Sequence, residues 1–183
     1  MHMSLLDGES MTRSTRRPHK KRPQVKVVSQ FLKAPRTPDL REFRDWYQAV
    51  RTAIDLGWTP EAIIENIGPF KNQALVTEVI DEGHDYKNAM VGLHWQRMHG
   101  RDVTNTLLSQ YSDWEVRRKT RKLFNQLINL KEPMFFETPP IQARRLHRSK
   151  GLEMAFMPLQ DRNGKVSHLI AAVPWHQSVL RTG

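Results

Sequence analysis

Between Gly151 and Val173 the chain reads GLEMAFMPLQ–DRNG–KVSHLIAAV, two apolar-rich runs joined by Asp161-Arg162-Asn163-Gly164. An Asn-Gly step between two β-rich runs closes a tight hairpin, because both residues tolerate the left-handed backbone such a turn needs. A third strand precedes the pair, Met134–Gln142 (MFFETPPIQ). Its Pro139-Pro140 belongs at a strand's edge or end, since proline cannot donate to the ladder. Upstream, Ser112-Asp113-Trp114-Glu115 has the Ser-x-x-Glu pattern of a capping box and predicts a helix to about Leu130, with Pro133 forbidding continuation. Leu123, Phe124, Leu127 and Ile128 cover one side of it, while Arg117, Arg118, Lys119, Arg121 and Lys122 crowd its first half. A long helix feeding an antiparallel meander is the back half of a small α+β domain.

The front half is helical and then β. Thr37-Pro38-Asp39 opens a helix: Thr37 can cap, Pro38 suits the first helical position, and Asp39 and Glu42 favour the positive end of the dipole. Leu40, Phe43, Tyr47, Val50 and Ile54 follow at heptad spacing, a narrow seam that predicts either packing on the chain's own domain or pairing with a second copy, and Gly57 is a natural stop. Thr59-Pro60-Glu61 starts a short helix to Ile67, ended by Gly68-Pro69. Ala74–Ile80 reads as a strand, Glu82–Asp85 as a turn and Tyr86–Gly92 as the hairpin partner. A helical turn around Trp95–His99 precedes a break at Gly100.

Charge divides the chain. Residues 1–36 hold nine Lys/Arg against two acids, so most of the formal net charge of +10 lies in a leader that reads as disordered. Val25–Leu32 is its exception, a patch expected to dock as a strand or turn. The expected organisation is a basic tail at 1–36, a helical segment at 37–68, the main domain at 69–176 and a C-terminal tail at 177–183. There is no cysteine, which excludes disulfides, thiolate metal sites and thiol-linked chromophores and fits a cytoplasmic protein. No apolar run approaches the roughly 20 residues of a membrane-spanning helix, and the N-terminus lacks the apolar stretch of a secretory signal.

The register of several segments together resembles a PAS domain, in particular the small stand-alone bacterial PAS proteins. The segments are Asp39-Leu40-Arg41-Glu42-Phe43-Arg44-Asp45-Trp46, the strand pair ending in Met90-Val91-Gly92, His99-Gly100-Arg101-Asp102-Val103-Thr104, the Leu152–Leu159 strand and the closing Val166–Val173. The resemblance implies an α+β fold with a five-stranded antiparallel sheet in order 2-1-5-4-3, helices on one face, and an N-terminal helix and basic tail ahead of it. It also implies a non-catalytic sensory or adaptor role in bacterial signal transduction, exercised through ligand or partner binding.

PAS domains hold ligands between sheet and helices, so Met90, Trp95, Leu107, Phe124, Met134, Phe136, Met154 and Phe156 are the candidate cavity lining, against the plainer reading that they fill a core. No cofactor is required by the sequence. His84, His94, His99 and His147 could in principle serve haem, but their spacing favours none. Asp81, Glu82 and Asp85 cluster at a turn where solvated acids normally sit, and no phosphate loop, metal triad or nucleophile elbow appears, so catalysis is not expected. The expected partner is a signalling protein, with homodimerisation through Leu40, Phe43, Tyr47, Val50 and Ile54. The alternative is a nucleic-acid-associated protein in which Arg13, Arg16, Arg17, Lys20, Lys21 and Arg22 bind phosphates or an anionic surface weakly. Arg117–Lys122, with Trp114 nearby, and Arg144–Lys150 are candidates for a second positive area.

Overall fold

The computed structural model describes residues 30–55, 59–138 and 152–174. The chain runs β1 (Gln30–Leu32), α1 (Pro38–Asp55), α2 (Pro60–Glu65), β2 (Ala74–Ile80), β3 (Asp85–Val91), α3 (Leu93–His99), α4 (Trp114–Leu130), β4 (Met134–Thr138), β5 (Leu152–Gln160) and β6 (Val166–Ala172). The strands form one six-stranded sheet in the order β1-β4-β5-β6-β2-β3, with every neighbouring pair antiparallel. The sequence predicts five strands. The sixth is β1, the end of the Val25–Leu32 patch, whose Phe31 lies opposite Phe136 and meets that ring edge-on at 5.9 Å.

Local chemistry fixes the elements. Thr59 caps α2, its hydroxyl accepting from the Ala62 amide. Gly100 ends α3 in the left-handed conformation at φ +71°. The β5–β6 turn is tied by Asp161, whose carboxylate accepts from the amides of Asn163 and Lys165, while Gly164 supplies φ +73°. At α4 the expected capping box does not form. Asp113 is the cap, accepting from the amides of Glu115 and Val116 at 2.9 and 3.1 Å. Both Ser112 and Asp113 are competent caps, and the ionised one also complements the helix dipole.

Side chains alternate across the sheet and meet helices on both faces, not on one. Against one face α1 and α2 bury Leu40, Phe43, Tyr47, Val50, Ile63 and Ile67 onto Val76, Ala155, Met157, Leu159 and Ile170. Against the other, α3 and α4 bury Trp95, Phe124 and Leu127 onto Leu75, Phe136, Phe156, Leu169 and Ala171. Strands apolar on both faces are the reason β5 reads as a continuous run and not as an alternation.

Candidate functional site

Beneath α3 and α4 the expected cavity lining is a packed set of rings. Phe156 stacks on Phe136 at 5.0 Å, meets Trp95 edge-on at 6.2 Å and lies 6.2 Å from Phe124. Met134 belongs to the same buried cluster and Met154 packs against it. Tyr86 continues the ring series onto Phe124 and donates to the Asn125 side-chain carbonyl; burial pushes its hydroxyl up to about 12. The Trp95 indole N–H donates to the Gln73 carbonyl at 2.8 Å. Six of the eight expected residues therefore come together in one cluster. The other two do not join them. Met90 packs on the α1 side of the sheet, because the register shift between Val76 and Thr77 sits beside it, and Leu107 bridges Lys87 at the β3 edge.

The seam on α1 is intramolecular. Leu40, Phe43 and Tyr47 are 0% exposed and Val50 7%, so the dimer interface expected there is closed by the chain's own sheet. Of Ile54 only the helical backbone is described. Two polar ties hold α1. Glu153, nearly buried on β5, accepts from the amides of Arg36 at 2.6 Å and Thr37 at 3.1 Å, a carboxylate at the positive end of the helix. The Tyr47 hydroxyl donates to the Pro158 carbonyl. The second tie explains a proline inside a central strand. β4 begins at Met134, opposite Phe156, so β5 has no ladder partner on that side from Met157 onward. Both the carbonyl and the missing N–H of Pro158 fall on that open side, where Tyr47 takes the place of a strand.

Where β4 stops, a groove of about 470 Å³ opens between α1 and the β5–β6 turn, lined by Tyr47, Arg51, Pro158, Gln160, Asp161, Arg162 and Gly164. Arg51 faces Glu132 at 3.6 Å. Sequence reasoning missed this groove and the Glu153 clasp. A lone carboxylate within GLEMAFMPL was the available signal for the clasp.

The second charged area lies along α4. Its cations divide into two sets. Arg117 donates to the Ser109 carbonyl at 2.9 Å, and Arg121 donates to the His84 carbonyl at 2.7 Å and faces Asp85 at 3.6 Å. Burial pushes the Asp85 carboxyl up, but hydrogen bonds from Ser109 and Tyr86 together with Arg121 outweigh it and hold the group below the usual range. Lys119 pairs with Glu115 at 2.8 Å. Arg118 and Lys122 point to solvent, with the Arg118 guanidinium 5.6 Å from the ring centre of Trp114, itself 63% exposed.

The remaining candidates are dispersed. His84 contacts the Asp81 carbonyl in an exposed turn, and His99 meets Tyr111 edge-on at 5.9 Å. Burial, then Arg101, lowers the His99 pKa. Of the acids, Glu82 pairs with Lys165 at 3.2 Å. Among the described residues no cluster of His, Cys, Asp and Glu could hold a metal, and no helix is long and apolar enough to cross a membrane. Arg13, Arg16, Arg17, Lys20, Lys21 and Arg22, the Arg144–Lys150 stretch and His147 lie outside the described residues.

No family model matches the sequence, and no curated protein matches it. Among solved structures, an RNA-binding light-oxygen-voltage receptor is similar to this chain at 14% identity and a TM-score of 0.38. The likeness covers 81% of this chain and 38% of the receptor, so the chain spans well under half the length of the protein it matches.

Proposed function

We propose that this chain is a non-catalytic PAS-type sensory or adaptor protein of bacterial signal transduction, acting through ligand or partner binding. The observation that supports it is the layering. One antiparallel sheet carries α3 and α4 on one face, and on the other a helical pair contributed by the segment that enters the domain first. α1 is a discrete layer, seated by apolar contact and by the ties at Glu153 and Pro158. In this reading α1 moves between positions on and off the sheet, and a ligand or partner that favours one changes the surface offered to the next protein.

Native-state hydrogen exchange on the full chain tests this. The expected result is that α1 and α2 amides exchange together, through an opening less costly than the one that exposes β5 and β6. Exchange of α1 solely in step with the central strands would make it a fixed part of the core and reject the reading.

A further inference from the structure

The outer face of α4 has a composition its packing does not require. From Val116 to Lys131 there are six cations, Arg117, Arg118, Lys119, Arg121, Lys122 and Lys131, and no acid. Helical spacing places Trp114, Arg118 and Lys122 in one row at intervals of four, and Asn125 and Asn129 continue the same side. All five are exposed. The row thus runs aromatic, cation, cation, amide, amide. Its cations are those left over after Arg117 and Arg121 brace the Ser109 and His84 loops.

Trp114, 63% exposed, sits at the start of α4 beside a guanidinium. We propose that this row binds a single-stranded nucleic acid, with a base stacking on Trp114, phosphates on Arg118 and Lys122, and the Asn129 amide together with the amino group of Asn125, whose oxygen is held by Tyr86, available to base edges. Charge complementarity calls for a polyanion. The flat aromatic surface and the neutral amides favour one whose charges alternate with planar bases that offer hydrogen-bonding edges. An acidic peptide would satisfy the cations, but it carries a planar ring only where an aromatic side chain falls and not between successive charges. The inference does not depend on the sensory reading above, and it concerns a surface distinct from the basic leader.

The test uses the full chain, so that the leader is the same in every sample. Fluorescence anisotropy is read with a labelled 20-nucleotide mixed-sequence RNA, the DNA of the same sequence and a labelled poly-glutamate of equal charge, across a salt series. The expected result is that Trp114→Ala weakens binding of the nucleic acid by about fivefold or more. Removing two phosphate contacts in the Arg118→Gln, Lys122→Gln double variant should flatten the salt slope of log Kd by about 1.4. These side chains are on the surface, and unchanged circular dichroism and melting would confirm intact variants. An affinity and slope equal to the parent's in both variants would assign any binding to the leader and overturn the proposal. So would an equal loss of poly-glutamate binding in Trp114→Ala, which would make the row an acidic-protein surface, or no nucleic-acid binding by the parent at low salt.

Discussion

Gly92 has no room for a methyl group. A Cβ there would lie 2.3 Å from the Lys71 carbonyl oxygen, 2.6 Å from that of Asn72 and 2.7 Å from that of Ala74, all main chain. Its own amide donates to Ala74 at 2.8 Å, so strand and loop are locked together at the point where β3 turns into α3. Gly92→Ala should cost about 2–3 kcal/mol in urea unfolding, through displaced backbone. Gly100→Ala meets open space and is strained only by its φ of +71°, so about 1 kcal/mol is expected. A Gly100 variant more damaging than the Gly92 variant would contradict this geometry. His168 sets a pH dependence. Burial lowers its pKa below the ordinary 6.5, with Glu61 and Glu78 acting the other way. The unfolded chain then takes up a proton that the folded chain resists, so this contribution is complete above 6.5 and is lost as pH falls. The urea midpoint should drop between about pH 7.5 and about pH 5, and less steeply in His168→Gln. Neither feature was legible beforehand. A glycine's crowding and a histidine's burial depend on which distant backbone lies against them.

α1 shows how much of an element sequence reveals. Its start at Pro38 and its apolar residues at intervals of three and four were readable, because capping and helical periodicity are local. Its partner was not. The spacing that suits a coiled-coil seam equally suits a helix lying on a sheet, and only the long-range fold chooses. Two substitutions distinguish the outcomes. Phe43→Glu places a charge among Trp46, Phe70 and the sheet, and it should collapse the melting transition while leaving the subunit number by sedimentation the same as the parent's. A change in subunit number with an unchanged melt would restore the intermolecular seam. Tyr47→Phe leaves the Pro158 carbonyl without its donor and should cost about 1–2 kcal/mol at neutral pH. Burial raises the Tyr47 hydroxyl from 10 to about 12, so the folded chain keeps a proton that the unfolded chain releases. Stability should therefore fall as pH rises from about 10 towards 12, less so in Tyr47→Phe.

For the whole molecule, the β-rich runs and their hairpins were readable, with Ala74–Ile80 observed at its expected bounds. Their two-sided burial had a signal that the expectation of helices on one face passed over, since Met154–Leu159 is apolar at successive positions. That pattern admits a cover on each face, but it does not say which segment supplies the second one. Six of the eight candidate cavity residues fall in one cluster and two do not; whether such a set encloses space or fills it is a matter of a few ångströms of ring placement, which composition does not encode. β1 has a consequence for how the chain behaves in company. Three residues from the leader lie on β4, a short strand whose outer backbone would otherwise be a template for a stranger's chain. The protein thus carries its own competitor for that seat, and any peptide arriving there must first evict Phe31. Cutting the chain back past Leu32 should leave the seat vacant, and association that grows with concentration in light scattering, absent in the full chain, is the sign to look for.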